Sequence, residues 1–129
     1  MDKKAPHHLQ VGRIGEEIAA KFLVKRGFEI VCRNYRKQIG EIDIVATRSG
    51  KIHFVEVKTV SRITAAGNDI RPEEHVHQAK LRRFGRTVEV YLEEFHEKRE
   101  WSFHVITVIL DQEAKTARVS MIADQILPE

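Results

Sequence analysis

Apolar residues recur at helical spacing from about Arg13 to Arg26, where Ala19, Ala20 and Leu23 form one stripe flanked by Ile18 and Phe22. Gly27 stands where a left-handed cap would close that helix. A short extended segment, Phe28 to Val31 or Cys32, then runs into a polar bend through Asn34 and Lys37. Two strand-like runs follow, Glu41–Ala46 and Ile52–Lys58, and the Ser49-Gly50 step between them is a hairpin signal of open turn type. Ser61–Arg71, with Gly67 and Asn68, reads as a loop. Pro72 opens a helical stretch to about Phe95, with Val76, Phe84, Val88, Tyr91, Leu92 and Phe95 at helical spacing. Strands at about Phe103–Leu110 and Ala117–Ile122, joined by a turn at Asp111–Thr116, close the chain. The order α-β-β-β-α-β-β predicts an α/β or α+β fold with a mixed sheet.

Length and composition narrow this picture. The 129 residues, 42% hydrophobic and 32% charged, suit one globular domain spanning the whole chain. Residues 1–10 are polar and expected to be frayed. Cys32 is the single cysteine, which excludes an internal disulfide and gives no pair for a zinc site. No apolar run reaches signal-peptide or membrane-spanning length, so the expectation is a soluble, cytoplasmic protein with no membrane partner. The net charge of +3 permits nucleic-acid binding. Its placement says more, because Arg33, Arg36 and Lys37 form one basic group and Lys80, Arg82, Arg83 and Arg86 another.

The chemistry concentrates in the hairpin. With the turn centred between Ser49 and Gly50, Asp43 falls opposite Glu56 and Glu41 opposite Lys58, all on one face. Ile42, Ile44, Ala46, Val55 and Val57 make the other face apolar. Opposed like charges destabilise a sheet by up to about 1 kcal/mol. A divalent cation reverses that sign, since Mg²⁺ and Mn²⁺ prefer hard oxygen ligands. Lys58 points the same way and could hold an attacking water or a phosphate oxygen. The plainer alternative is a solvated face with Glu41 and Lys58 as a surface ion pair, although Val45 and Phe54 on that face imply partial cover.

Both helices carry a charge on an apolar row. Glu16 continues the buried stripe of the first helix, where either a basic partner or a metal would have to neutralise it. Glu17 is spaced to pair with Lys21. Lys80 sits in the row Val76, Lys80, Phe84, Val88 and either reaches the edge or meets negative charge, from the acids or from a DNA phosphate.

The ordered set Gly12-x-x-Gly15-Glu16-x-x-Ala19, Asn34-Tyr35-Arg36, Gly40-Glu41-Ile42-Asp43 and Phe54-Val55-Glu56-Val57-Lys58 resembles the bacterial YraN family, an uncharacterised family described as predicted endonuclease-like. It is also similar to the wider PD-(D/E)xK restriction-endonuclease-like class, which includes archaeal Holliday-junction resolvases. The resemblance spans about Gly12 to Val108. It implies a restriction-endonuclease-like fold in which Asp43, Glu56 and the carbonyl of Val57 hold Mg²⁺ or Mn²⁺. It further implies that Lys58 activates water, that Glu16 is an accessory acid and that Lys80 contacts phosphate. Arg36 and Arg83 join Lys80 as nucleic-acid-binding candidates. The expected activity is hydrolysis of DNA phosphodiesters, branched or recombining DNA included, with a homodimer open because junction-cleaving relatives are dimeric. The alternatives are a nucleic-acid-binding or adaptor module without turnover, and a protein-interaction domain. The chain departs from the family at Ser102-Phe103-His104, where Arg-Phe-Asp is common, which puts a structural salt bridge there in doubt.

Overall fold

A computed structural model describes residues 7–62 and 78–128. Helix α1 (His7–Lys25) is followed by strands β1 (Glu29–Lys37), β2 (Gly40–Arg48) and β3 (Lys51–Arg62), helix α2 (Gln78–Glu94), and strands β4 (Trp101–Asp111) and β5 (Thr116–Gln125). The fold is mixed α+β, in the predicted element order. One five-stranded sheet runs β1-β2-β3-β4-β5. Every neighbouring pair is antiparallel except β3 and β4, which are parallel and joined through α2.

Local chemistry explains the boundaries. At the end of α1 the amides of Gly27 and Phe28 donate to the carbonyls of Val24 and Leu23, with Gly27 at φ 87°, a left-handed closing turn that glycine makes without steric cost. Ser49 and Gly50 both have positive φ, 52° and 76°, as a two-residue type I′ hairpin requires. That turn fixes the register from Arg48↔Lys51 to Ile44↔Val55 as the sequence predicted.

The sheet is covered on both faces. Against α1 lie Ile44, Ala46, Val55, Ile106 and Val108, packed with Ala19, Ala20 and Leu23. Against α2 lie Ile42, Val45, Phe54, Phe103 and Val105, packed with Phe84, Val88 and Tyr91. Two close approaches seat the helices. A Cβ at Gly15 would overlap Thr59 Oγ1 on β3, and one at Gly40 would come within 2.6 Å of Thr87 Oγ1 on α2.

Several boundaries differ from expectation. Helix α1 starts earlier, at His7, so residues 7–10 are helical, and Val11 is buried in the core. Strand β1 passes through the expected polar bend to Lys37, because its backbone pairs with β2 as far as Lys37↔Gly40. Strand β3 continues to Arg62 alongside β4. The rest of the expected loop, and the part of the second helix from Pro72 to His77 with Val76, lie outside the described residues.

The main correction concerns Ile42, expected on the face of Ile44 but buried instead on the α2 side. Alternation breaks at the opposed residues Asn34 and Asp43, where Asn34 takes φ 55°. On one side of this break Arg33 and Ile44 face α1, and on the other Tyr35 and Ile42 face α2. Asparagine tolerates the left-handed region better than most residues, and here it switches both strands from one face to the other.

Candidate metal centre

Past Ile44↔Val55 the β2–β3 ladder stops, and the amide of Val57 donates to Asp43 Oδ2 at 2.7 Å. The Asp43 side chain thus sits in the fork between the two strands, where a backbone acceptor would otherwise stand. Glu56 is the next residue along β3 and is buried. Glu41 has moved with the face switch, so it pairs with Arg36 Nε of β1 at 3.4 Å rather than with Lys58.

Helix α1 brings Glu16 to the same place. Glu16, Glu41 and Asp43 each offer a carboxylate oxygen within 4.8 Å of the others. Asn34, its amide oriented to donate, lies 3.2 Å from Glu16 Oε2 and 3.3 Å from Glu41 Oε1. Glu17 bridges to Arg33 at 2.9 Å instead of to Lys21. From the opposite face, Lys80 Nζ reaches Glu56 Oε1 at 2.7 Å. The recess between them is about 210 Å³ and is lined by Gly40, Glu41, Asp43, Glu56, Lys80, Arg83 and Phe84.

The electrostatics follow from crowding. Burial, then the neighbouring Glu56 charge, pushes the Asp43 carboxyl up to about 8, against the pull of the Val57 amide. Burial and Glu41 raise Glu16. For Lys80, burial alone would lower the ammonium, but the charge and hydrogen bond of Glu56, with Asp43 and Glu41, raise it overall. Carboxylates forced together and partly protonated are a donor set that a hard cation satisfies. The acidic triad could therefore hold a metal ion.

The predicted residues divide accordingly. Glu16, Asp43, Glu56 and Lys80 are brought together, and Arg83 lines the same recess. Arg36 is tied to Glu41 at the exposed rim. Val57 meets Asp43 through its amide. Lys58 is half-buried on β3, and among the described residues it does not line the recess. Sequence reasoning missed Glu41 as a member of the acid cluster and Asn34 as the link between Glu41 and Glu16. The one available signal was an asparagine inside an extended run, a residue suited to positive φ.

His104 is buried and forms a second polar arrangement away from the acids. The amide of Asp124 donates to His104 Nδ1 at 3.0 Å, which leaves the His104 proton on Nε2 to be donated to His53 Nδ1 at 2.8 Å. The two rings are stacked at 5.0 Å, with Phe28 edge-on to His53 at 4.9 Å. Burial, then the neighbouring His53, pulls the His104 ring down to about 4, and burial also lowers His53.

The profile of the uncharacterised protein family UPF0102 matches residues 15–108. A UPF0102 protein of Caldicellulosiruptor bescii is 34% identical over 118 residues, covering 89% of this chain and 95% of its own length. One from Caldanaerobacter subterraneus subsp. tengcongensis is 36% identical over 107 residues, 82% of this chain and 84% of its own. One from Campylobacter jejuni is 41% identical over 80 residues, 62% of this chain and 66% of its own. Among the described residues, no helix is long and apolar enough to cross a membrane.

Proposed function

The chain belongs to the UPF0102 family, and for this member we propose a metal-dependent nuclease that hydrolyses DNA phosphodiesters, branched or recombining DNA being the favoured substrate. The observation that carries this reading is the placing of Glu16, Glu41 and Asp43 within 4.8 Å of one another at a fork in the sheet, next to a helix whose first half is basic. Mg²⁺ or Mn²⁺ held there would polarise a phosphate and lower the pKa of a bound water.

The chain's own residues have separable roles in this proposal. Asp43 and Glu56, with the Val57 carbonyl, are the metal ligands, and Glu16 is the accessory acid, supported by Glu41. Lys80 and Arg83 at the recess neutralise a phosphate, and Arg36 extends the basic rim. Lys58, further along β3, positions the attacking water once the ligands are in place. A homodimer would suit a branched substrate.

One observation favours a second reading, a nucleic-acid-binding or adaptor module without turnover. Glu56 is already neutralised internally by Lys80 at 2.7 Å, so the acids have a counter-ion without metal. Titration calorimetry with Mn²⁺ and Mg²⁺, on wild type and on an Asp43→Asn/Glu56→Gln variant, tests the site. Saturable binding lost in the variant, together with metal-dependent cleavage of branched DNA, is the expected result. Salt-dependent DNA binding without cleavage under any divalent ion would establish the second reading instead.

A further inference from the structure

Trp101, the only tryptophan of the chain, opens β4 and remains 41% exposed. Its ring is set edge-on to Phe54 at 5.7 Å, so it is held in orientation without being covered. It forms one wall of a recess of about 340 Å³ whose other lining residues include Arg82, Arg86 and Glu89 of α2 and Leu127 near the chain end. Arg82 and Arg86 are one helical turn apart, and among the described residues neither makes an ion pair. An aromatic face beside two uncommitted guanidinium groups is the chemistry that binds a nucleotide, the base stacking and the arginines meeting phosphate.

We infer that this recess takes an unpaired nucleotide of the same nucleic acid whose phosphate enters the acidic recess. The inference rests on the nucleic-acid reading above and adds a single-stranded contact to it. A paired base keeps its faces within the stack, whereas an unpaired one can lie on an aromatic ring. The placement on α2 supports one strand serving both recesses. Lys80, Arg83 and Phe84 line the acidic recess, while Arg82, Gly85, Arg86 and Glu89 line the other. The two therefore flank the same half of the helix, with Arg83 and Arg86 one turn apart across its exposed ridge.

Because there is one tryptophan, its emission reports the surroundings of Trp101, and the Arg82 variant ties the signal to this recess rather than to the one Trp101 shares with Ser102 and Asp124. The full-length protein would be titrated in EDTA at low salt with oligo(dT) of twelve nucleotides, following both tryptophan emission and the anisotropy of a labelled oligonucleotide. Saturable quenching that tracks anisotropy is expected, with affinity about tenfold weaker in Trp101→Leu and partly restored in Trp101→Phe. Arg82→Ala should weaken binding and flatten its salt dependence. Circular dichroism checks that each variant is folded, and the wild-type quenching stands without any variant. Binding with unchanged emission, and an unaltered Trp101→Leu, would overturn the inference while leaving the nucleic-acid reading intact. Equal quenching by duplex would overturn the single-stranded assignment. No binding of single-stranded or branched DNA would remove both.

Discussion

The molecule buries two polar groupings, and they are resolved in opposite ways. On the α1 side, the Asp124 amide donates to His104 Nδ1 and the His104 Nε2 proton is donated in turn to His53 Nδ1, one line of hydrogen bonds. Both rings stay neutral and fit among apolar neighbours, and the remaining cost is His53 Nε2, buried without a hydrogen-bond partner although the nearby Arg48 carbonyl favours its protonated form. At the β2–β3 fork, by contrast, the charged neighbours that act on Asp43 are the acids Glu56, Glu16 and Glu41, opposed at Asp43 by the Val57 amide, at Glu56 by Lys80 and at Glu41 by Arg36. A histidine can be donor and acceptor at once, so two of them complete each other. Carboxylates only accept when charged, so a cluster of them cannot complete itself and depends on cations such as Lys80 and Arg36, or on a metal ion that the triad could hold. The first grouping stabilises the fold and the second is held in place by it, which is the usual mark of a functional site.

Substitutions should separate the two by sign. The largest effect is expected from His104→Ala, which opens a cavity and strands both His53 Nδ1 and the Asp124 amide. A loss of about 3 kcal/mol is expected in urea unfolding. Lys80→Met removes the cation from Glu56, and the metal-free protein should lose about 1–2 kcal/mol, discounted from a fully buried pair because Lys80 is half-exposed. Mn²⁺ should restore most of that loss, and a variant as stable as wild type without metal would show that Lys80 is not the counter-ion. Asp43→Asn should act in the opposite direction, keeping an oxygen for the Val57 amide while removing a buried acid that must hold its proton at a cost at pH 7. It should gain about 1 kcal/mol at pH 7 without metal and lose saturable Mn²⁺ binding.

The pH dependence of the metal-free protein tests the same division, each group contributing at most about 1.4 kcal/mol per pH unit. The raised Asp43 group holds its proton more tightly when folded, so it lowers stability as pH climbs from about 4 towards 8. The depressed His104 group binds its proton more tightly when unfolded, so it lowers stability as pH falls from about 6.5 towards 4. The two oppose each other between about 4 and 6.5, so thermal melts should be nearly flat there and decline above about 6.5. Asp43→Asn should remove the alkaline decline and unmask an acid one below about 6.5, and His104→Phe should extend the alkaline decline down towards 4. If either substitution also removed the slope assigned to the other group, the two groupings would not be independent.

Much of this was legible in the sequence, and the limits are physical. The Ser49-Gly50 turn fixed the hairpin register, and alternation from that turn placed Asp43 next to Glu56. The inward position of Glu16 and the apolar row around Lys80 pointed both charges at the sheet, where they meet the acids. The face switch at Asn34 was not legible, because one residue at positive φ leaves composition and spacing unchanged. It misplaced Ile42 and gave Glu41 the wrong partner. The histidine pair was also hidden, since His53 and His104 meet through the non-local β3–β4 joint, where His104 stands beside Val55. Their union explains how the chain accommodates a buried histidine on β4. A buried acid at this place would need a cation, but His104 needs only His53.

The kink at Asn34 has a consequence beyond the acids. Strand β1 is an outer strand, and such strands can recruit foreign strands into ordered aggregates. This one is irregular twice, at a bulge between Ile30 and Cys32 and at Asn34 itself. The other outer strand, β5, is interrupted by a register shift opposite Phe103–Val105 and by Asp124 at φ 53°. Neither margin offers a long, flat row of amides and carbonyls to a newcomer. The distortion that shapes the acid-lined fork on the inner side of β1 thus also discourages the sheet from growing outward.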